Sequence, residues 1–329
     1  MTAVLPRPAR VANARGRSTA RALGRRVAGS VLVLWGAITL AFLALHLIPG
    51  NTVDAIAGGT TQISPELRAQ IVAEYSLDRP LVVQYLQYLG KLVRGDLGDS
   101  YALRMPVTKA IGQQLGSTVQ LLLTAIAFAL IVSVVIAVLT AHRPRWVRGT
   151  FAGLEVVGVA VPSFWLGILL LTVFSFQLHW FPAVGSAGFA ALVLPALTLS
   201  VAPIGMLTQV LRQSLERVLD EPFVVTARSR GISEAAVRVR HVLRHAVLPV
   251  ITLAGWLAGT MIGSAVVVEQ VFSRQGLGRL TVNAVDHKDM PLVLGVVLVA
   301  AVFYVVVNIA IDVVYRLVDP RLRSEDTAR

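Results

Sequence analysis

The chain has 329 residues, 55% of them hydrophobic and 15% charged, with a net charge of +12 and no cysteine. A soluble domain carries about 25% charged residues, so this composition belongs to the membrane class. Without cysteine, disulfides, iron–sulfur clusters and thiolate-bound zinc are excluded.

A membrane-crossing helix takes roughly 20 mainly apolar residues. Six stretches qualify: 27–48, 117–140, 151–176, 190–211, 248–268 and 291–315. The expected fold is an all-α polytopic membrane protein with six transmembrane helices. The first stretch follows a tail, 1–26, with seven arginines. Its apolar run is longer than that of a signal peptide and no A-x-A site follows, so it reads as an uncleaved anchor. The fourth is interrupted by Pro195 and Pro203, which leaves a re-entrant segment as the alternative. In the fifth, Gly255, Gly259 and Gly263 recur every four residues, the spacing of closely packed helices.

Charge sets the orientation. With the N-terminus inside, segments 1–26, 141–150, 212–247 and 316–329 hold 21 of the 30 lysines and arginines. Both ends are therefore expected in the cytoplasm. The basic balance is a topology signal, and a nucleic-acid partner is set aside.

The outer segment 49–116 should form two short helices. Ser64-Pro65 starts one, with Leu67, Ile71 and Tyr75 on a face; Asp78-Arg79-Pro80 breaks it. Leu81, Tyr85, Leu89 and Leu92 make the stripe of the second, with Val82, Leu86 and Val93 beside it. This insertion is a cap packed on the bundle or lying at the membrane surface, and, compatibly with that, a platform that meets a delivery protein or shapes the outer mouth.

The inner segment 212–247 holds the basic stretch TARSRGISEAA, 226–236. Glu221-Pro222 starts a short helix and Gly231 ends it in a left-handed cap. Ser233 caps a second helix, with Glu234 in its first turn and Val239, Val242, Leu243 and Ala246 on its apolar face. Such short helices need something to pack against, either the chain's own bundle and lipid headgroups, or a partner.

Four ionisable residues lie in or near spans. Asp312 pairs locally with Arg316. Glu155 reaches the inner interface or serves function. His46 snorkels. Glu269 lines an outer gate or caps a turn. The chain has no P-loop, no H-E-x-x-H and no G-x-S-x-G; Ser163 and Ser175 have no evident histidine, and Gly276-Leu277-Gly278 reads as a tight turn. Active transport would need energy from another subunit.

Five segments in order carry a resemblance: LDRPLVVQYLQYLGKLVRGDLGDSY (77–101), VPSFWLGILLL (161–171), Glu221 to Pro249, EQVFSRQGLGRL (269–280) and DPRLR (319–323). The chain resembles the first of the two permeases in ATP-binding-cassette importers of dipeptides, oligopeptides and nickel. The resemblance implies a type I importer fold with an extracytoplasmic helical insertion between helices 1 and 2, a core over 117–317 and a tail over 318–329. It implies a coupling helix gripped by a cytosolic ATPase, carried here by Glu221, Thr226, Ala227, Arg228, Gly231 and Ser233. The general motif's glutamate is missing, and Leu248-Pro249 comes later than in sugar permeases, as in the peptide and nickel branch. Pro162, Ser163, Trp165 and the three glycines are assigned to helix packing or the pathway, and Glu269 to the outer gate. The implied partners are a second permease, two cytosolic ATPases holding ATP and magnesium, and an extracytoplasmic substrate-binding protein. This chain itself would bind no cofactor and catalyse nothing. An ion-gradient carrier and an intramembrane enzyme are the competing classes; nickel or haem-like cargo is the competing substrate.

Overall fold

Lipid offers backbone N–H and C=O groups no partners, so apolar segments in it close their hydrogen bonds as helices. The computed structural model describes residues 11–47, 66, 69, 72, 78–186 and 188–318, with side chains from residue 24 onward except at 316 and 318. The helix expected from Ser64 to Tyr75 falls almost wholly outside these residues.

Twelve α-helical pieces follow one another among the described residues. Helix α1 is Val11–Leu47, α2 Leu81–Val93 and α3 Val107–Thr140. Next come α4, Arg145–Ala160, and α5, Ser163–Leu170, which runs into a wider π-type turn over Leu171–Gln177. Helix α6 is Ala190–Leu219 and α7 is Pro222–Ser229. Helix α8, Glu234–Ala236, passes through a second π-type turn, Val237–Val242, into α9, Leu243–Ala246. Helices α10, Leu248–Val271, α11, Leu277–Asp286, and α12, Met290–Val318, complete the described chain.

Five helices are long and apolar enough to cross a membrane, and the α4–α5 pair makes a sixth crossing if taken as one bent span. The bend reverses the expected weak point. Segment 151–176 is not a straight helix: α4 and the helical run beginning with α5 meet at 100°. Val161 and Pro162 are both extended there, because proline's Cδ crowds the preceding residue out of the helical region. The fourth segment instead forms one 30-residue helix through Pro195 and Pro203. Both prolines are buried, and surrounding helices hold α6 together.

Helix α6 is the axis of the bundle, packed by α3, α4, α5 and α10, while α1 lies against α12. Three apolar clusters line the interior. One joins Leu207, Leu211, Leu215 and Leu219 to the segment after α6. A middle one gathers Leu121, Leu199 and Met261. The third holds Val107, Ile111, Leu277 and Leu292 at the opposite end. We call the end with residues 212–247 the hairpin end, and the other the far end.

Two of the three spaced glycines bring α10 and α12 together. A Cβ on Gly255 would stand 1.8 Å from Ile311, and one on Gly259 2.6 Å from Tyr304. Gly263 faces open space, so the close approach ends before it. Asp312 meets Arg26 of α1 at 2.9 Å, tying the first and last long helices; its expected local partner, Arg316, lies outside the described side chains. His46 turns back along α1, its Nδ1 2.8 Å from the Phe42 carbonyl.

Helix α2 is amphipathic and short. Tyr85 bonds Thr39 of α1 at 2.6 Å, and Val82, Leu86 and Val93 on the neighbouring face are exposed.

Candidate functional site

The hairpin begins where α6 stops. Glu221 is extended at the N-cap and Pro222 takes the first helical position, where its missing N–H is no loss. Val224 and Ala227, three apart, are buried against the leucines of α6. Ala227 is thus part of the seat. Glu221, Thr226, Arg228, Gly231 and Ser233, the other expected coupling residues, are all exposed.

The turn is a Schellman motif. The N–H of Gly231 donates to the Arg228 carbonyl at 2.9 Å, and that of Ile232 to Ala227 at 3.4 Å. Gly231 has φ +76°, the left-handed conformation that a side chain resists. Ser233 then caps α8, accepting from the Ala236 N–H at 3.4 Å. Across the turn, Arg228 grips Glu234 with Nε at 2.7 Å and Nη2 at 3.2 Å. The hairpin is therefore braced within itself.

Its second arm departs from the expected periodicity. Val237, Val242 and Ala246 face the core, while Val239 is exposed. The π-type turn explains the shift: one extra residue in the turn widens the spacing from Val237 to Val242 to five. Arg238 adds a polar tie, donating from Nη1 to the Val138 carbonyl in the last turn of α3 at 3.0 Å. Carbonyls there lack helical partners, and a cation suits that end of the helix dipole. On the open side, Phe223 and Val225 are exposed, with the His245 ring 5.4 Å from that of Phe223.

Above the hairpin, Glu155 of α4 and Arg212 of α6 form a buried bidentate pair at 2.6 and 2.7 Å. Glu155 does not reach the interface, as one sequence reading had it. A fork-to-fork pair satisfies both charges in place, so its visible role is to bind α4 to α6.

At the far end, Glu269 is fully buried. It accepts from the Thr118 hydroxyl at 2.6 Å and from the N–H groups of Gly278 and Arg279 at 2.8 and 3.2 Å. Thr118 Oγ1 in turn accepts from Leu277 N–H at 2.8 Å. The carboxylate thus caps the N-terminus of α11, where the helix dipole favours an anion. Gly276-Leu277-Gly278 is not a tight turn. Gly276 is extended and the other two residues open α11. The glycines let backbone and carboxylate meet: a Cβ on Gly276 would lie 2.2 Å from Glu269, and one on Gly278 2.4 Å from Val266 Cα. Arg274 is buried beside this cap, its Nη2 3.5 Å from the Ser117 carbonyl. Burial pushes its guanidinium below the usual arginine range, and the neighbouring Glu269 charge opposes that shift.

A second far-end carboxylate, Asp289, was missed in the sequence. Fully buried, it accepts from Ser100 Oγ at 2.5 Å, Ala102 N–H at 3.1 Å and Leu292 N–H at 3.3 Å. The signal was available, since Asp289 stands two residues before Pro291 at a helix start. Pro162 marks the α4–α5 bend, Ser163 opens α5, and Trp165 is exposed on α5. None of these joins the hairpin.

Residues 133–324 match the family described as the binding-protein-dependent transport system inner membrane component, and residues 19–122 match its N-terminal companion. The chain belongs to this family of ATP-binding-cassette importer permeases. It is 38% identical over 310 residues to a putative peptide transport system permease protein of Brucella abortus, covering 92% of this chain and 98% of that one. A counterpart in Brucella melitensis matches to the same extent. The glutathione transport system permease protein of Salmonella typhimurium is 36% identical over 304 residues, covering 91% and 97%. The chain is thus a multi-pass permease component of the dipeptide and oligopeptide branch, a class that works with ATPase and binding-protein subunits.

Proposed function

We propose that the chain is one half of the translocation pathway of an ATP-driven peptide importer, and that the hairpin α7–α9 is where the motor takes hold. Relatives named for peptide and for glutathione transport support a peptide cargo. In this reading a second permease forms the other half. Two ATPases carrying ATP and magnesium bind at the hairpin end, which faces the cytoplasm, and a substrate-binding protein docks at the far end. The excess of arginine at the hairpin end supports that orientation in the inner membrane.

One observation carries the reading. The hairpin is braced internally by its Schellman turn, the Ser233 cap and the Arg228–Glu234 pair, yet it rests on the bundle chiefly through Val224, Ala227, Val237, Val242 and Ala246. A push on its exposed face moves it as one piece against α6. ATP binding that draws two ATPases together would shift both hairpins and turn the cavity outward. A ligand moves such an equilibrium only through contacts that differ between states, and the exposed Thr226, Arg228 and Phe223 are placed to make them.

The test is purification of the tagged chain with its partners in detergent. An ATPase should come with it, and reconstituted vesicles should take up labelled dipeptide only with ATP. Uptake driven by an ion gradient without ATP would overturn the reading and restore the secondary carrier, which is otherwise not favoured.

A further inference from the structure

At the hairpin end, a cleft of about 240 Å³ opens between α4 and α6. Its walls are Arg145, Arg148, Gly149 and Ala152 from one face of α4, and Arg212 and Glu216 from α6. The spacing makes the space: Gly149 and Ala152 are small where a larger side chain would close the gap. Three guanidinium groups against one carboxylate leave the lining cationic.

The arginines are not equally occupied. Arg212 is spent on Glu155 behind the wall. Arg148 gives Nη1 to Glu216 at 3.1 Å, and its side chain is still 38% exposed. Arg145 is exposed and forms no ion pair among the described residues. The cleft also lies at the N-terminus of α4, a 16-residue helix whose N-cap is Pro144 and which no side chain caps. Its first-turn N–H groups and helix dipole favour an anion in the same place.

Depth narrows the ligand. Trp146, next to Arg145, is 75% exposed, and Leu154, Val156 and Val157 further along α4 are exposed as well. An exposed tryptophan at the junction of apolar and basic surface marks the bilayer boundary, the level of lipid phosphates. We propose that this cleft binds a phosphate group at that boundary, held by the guanidinium groups of Arg145 and Arg148 and the first turn of α4. An anionic phospholipid headgroup or free phosphate can supply it. The site is independent of the cargo.

The test uses the purified full chain with its partners in nanodiscs of phosphatidylcholine, with and without phosphatidylglycerol, and reads retained lipid by native mass spectrometry. The wild type should retain phosphatidylglycerol over phosphatidylcholine. Arg145→Gln should weaken that retention about tenfold, the loss of one charge-assisted contact. Ala152→Leu, which fills the cleft and touches no ion pair, should do the same. Melting in pure phosphatidylcholine should be unchanged in both. Millimolar inorganic phosphate separates the sources: displacement of the lipid, or a melting shift in pure phosphatidylcholine that Arg145→Gln abolishes, assigns the site to free phosphate, and neither assigns it to lipid. Equal retention in wild type and both variants, with no response to phosphate, would overturn the proposal.

Discussion

The two ends of the bundle are held by different physics. At the far end, Glu269 and Asp289 are fully buried and each accepts three hydrogen bonds, Glu269 one of them from distant Thr118 and Asp289 two from distant Ser100 and Ala102. Such bonds are directional and fix position to fractions of an ångström. At the hairpin end the seat is apolar and the charges stand on the rim, with Arg238 as a polar tie to α3. Apolar contact depends on area and hardly on direction. One end is therefore built to keep its shape while the other tilts. A transporter driven from one side needs both: a lever that moves and a frame for it to move against.

The largest expected effect comes from breaking the frame. Glu269→Ala should leave Arg274 buried without its counter-charge, and the N–H groups of Gly278 and Arg279 without their acceptor. Stripping one partner from a buried charged network costs about 3–5 kcal/mol. The variant should melt well below the wild type in detergent and fall in membrane abundance. A melting point within a degree of the wild type would show that the far end is held by something else, and the contrast between the ends would fail.

How much of this was readable beforehand follows from how local each interaction is. Gly231 and Ser233 were legible because helix caps are set within a few residues. The long apolar runs were legible for the same reason. The α4–α5 bend was not, because all prolines look alike in sequence: Pro162 breaks its helix, while Pro195 and Pro203 are carried by their neighbours. Val239 was misplaced because a π-type turn shifts the register that a 3.6-residue period assumes. The polar ties were out of reach. Glu269 meets Thr118 across 151 residues, Asp289 meets Ser100 across 189, and Glu155 meets Arg212 across 57. No window of sequence contains both partners.

A smaller effect should come from stiffening or spoiling the lever. A Cβ on Gly231 meets nothing within 4 Å, so substitution there is penalised through the backbone alone. Gly231→Val should lose about 1–2 kcal/mol of the Schellman turn's stability, because β-branching resists φ +76°. Asparagine tolerates that region, so Gly231→Asn should be nearly silent. In reconstituted vesicles the valine variant should hydrolyse ATP with less uptake per turnover, and the asparagine variant should match the wild type. Equal uptake in both would detach the cap from coupling.

The smallest expected effect on stability is the most informative about the hairpin's face. The Arg228–Glu234 pair is 40% and 56% exposed, and an exposed pair contributes no more than about 1 kcal/mol. Arg228→Glu should therefore melt like the wild type. If Arg228 touches the ATPase, the variant should also lose much of its ATPase in co-purification. Two roles are then confounded, since the reversal also sets two carboxylates across the turn. The exchange Arg228→Glu with Glu234→Arg separates them. It restores attraction across the turn while leaving a negative charge at position 228. Recovery of ATPase binding in the double variant would make Arg228 an internal brace. Continued loss would place position 228 in the contact itself, because the brace would be intact and only the charge offered to the partner would differ.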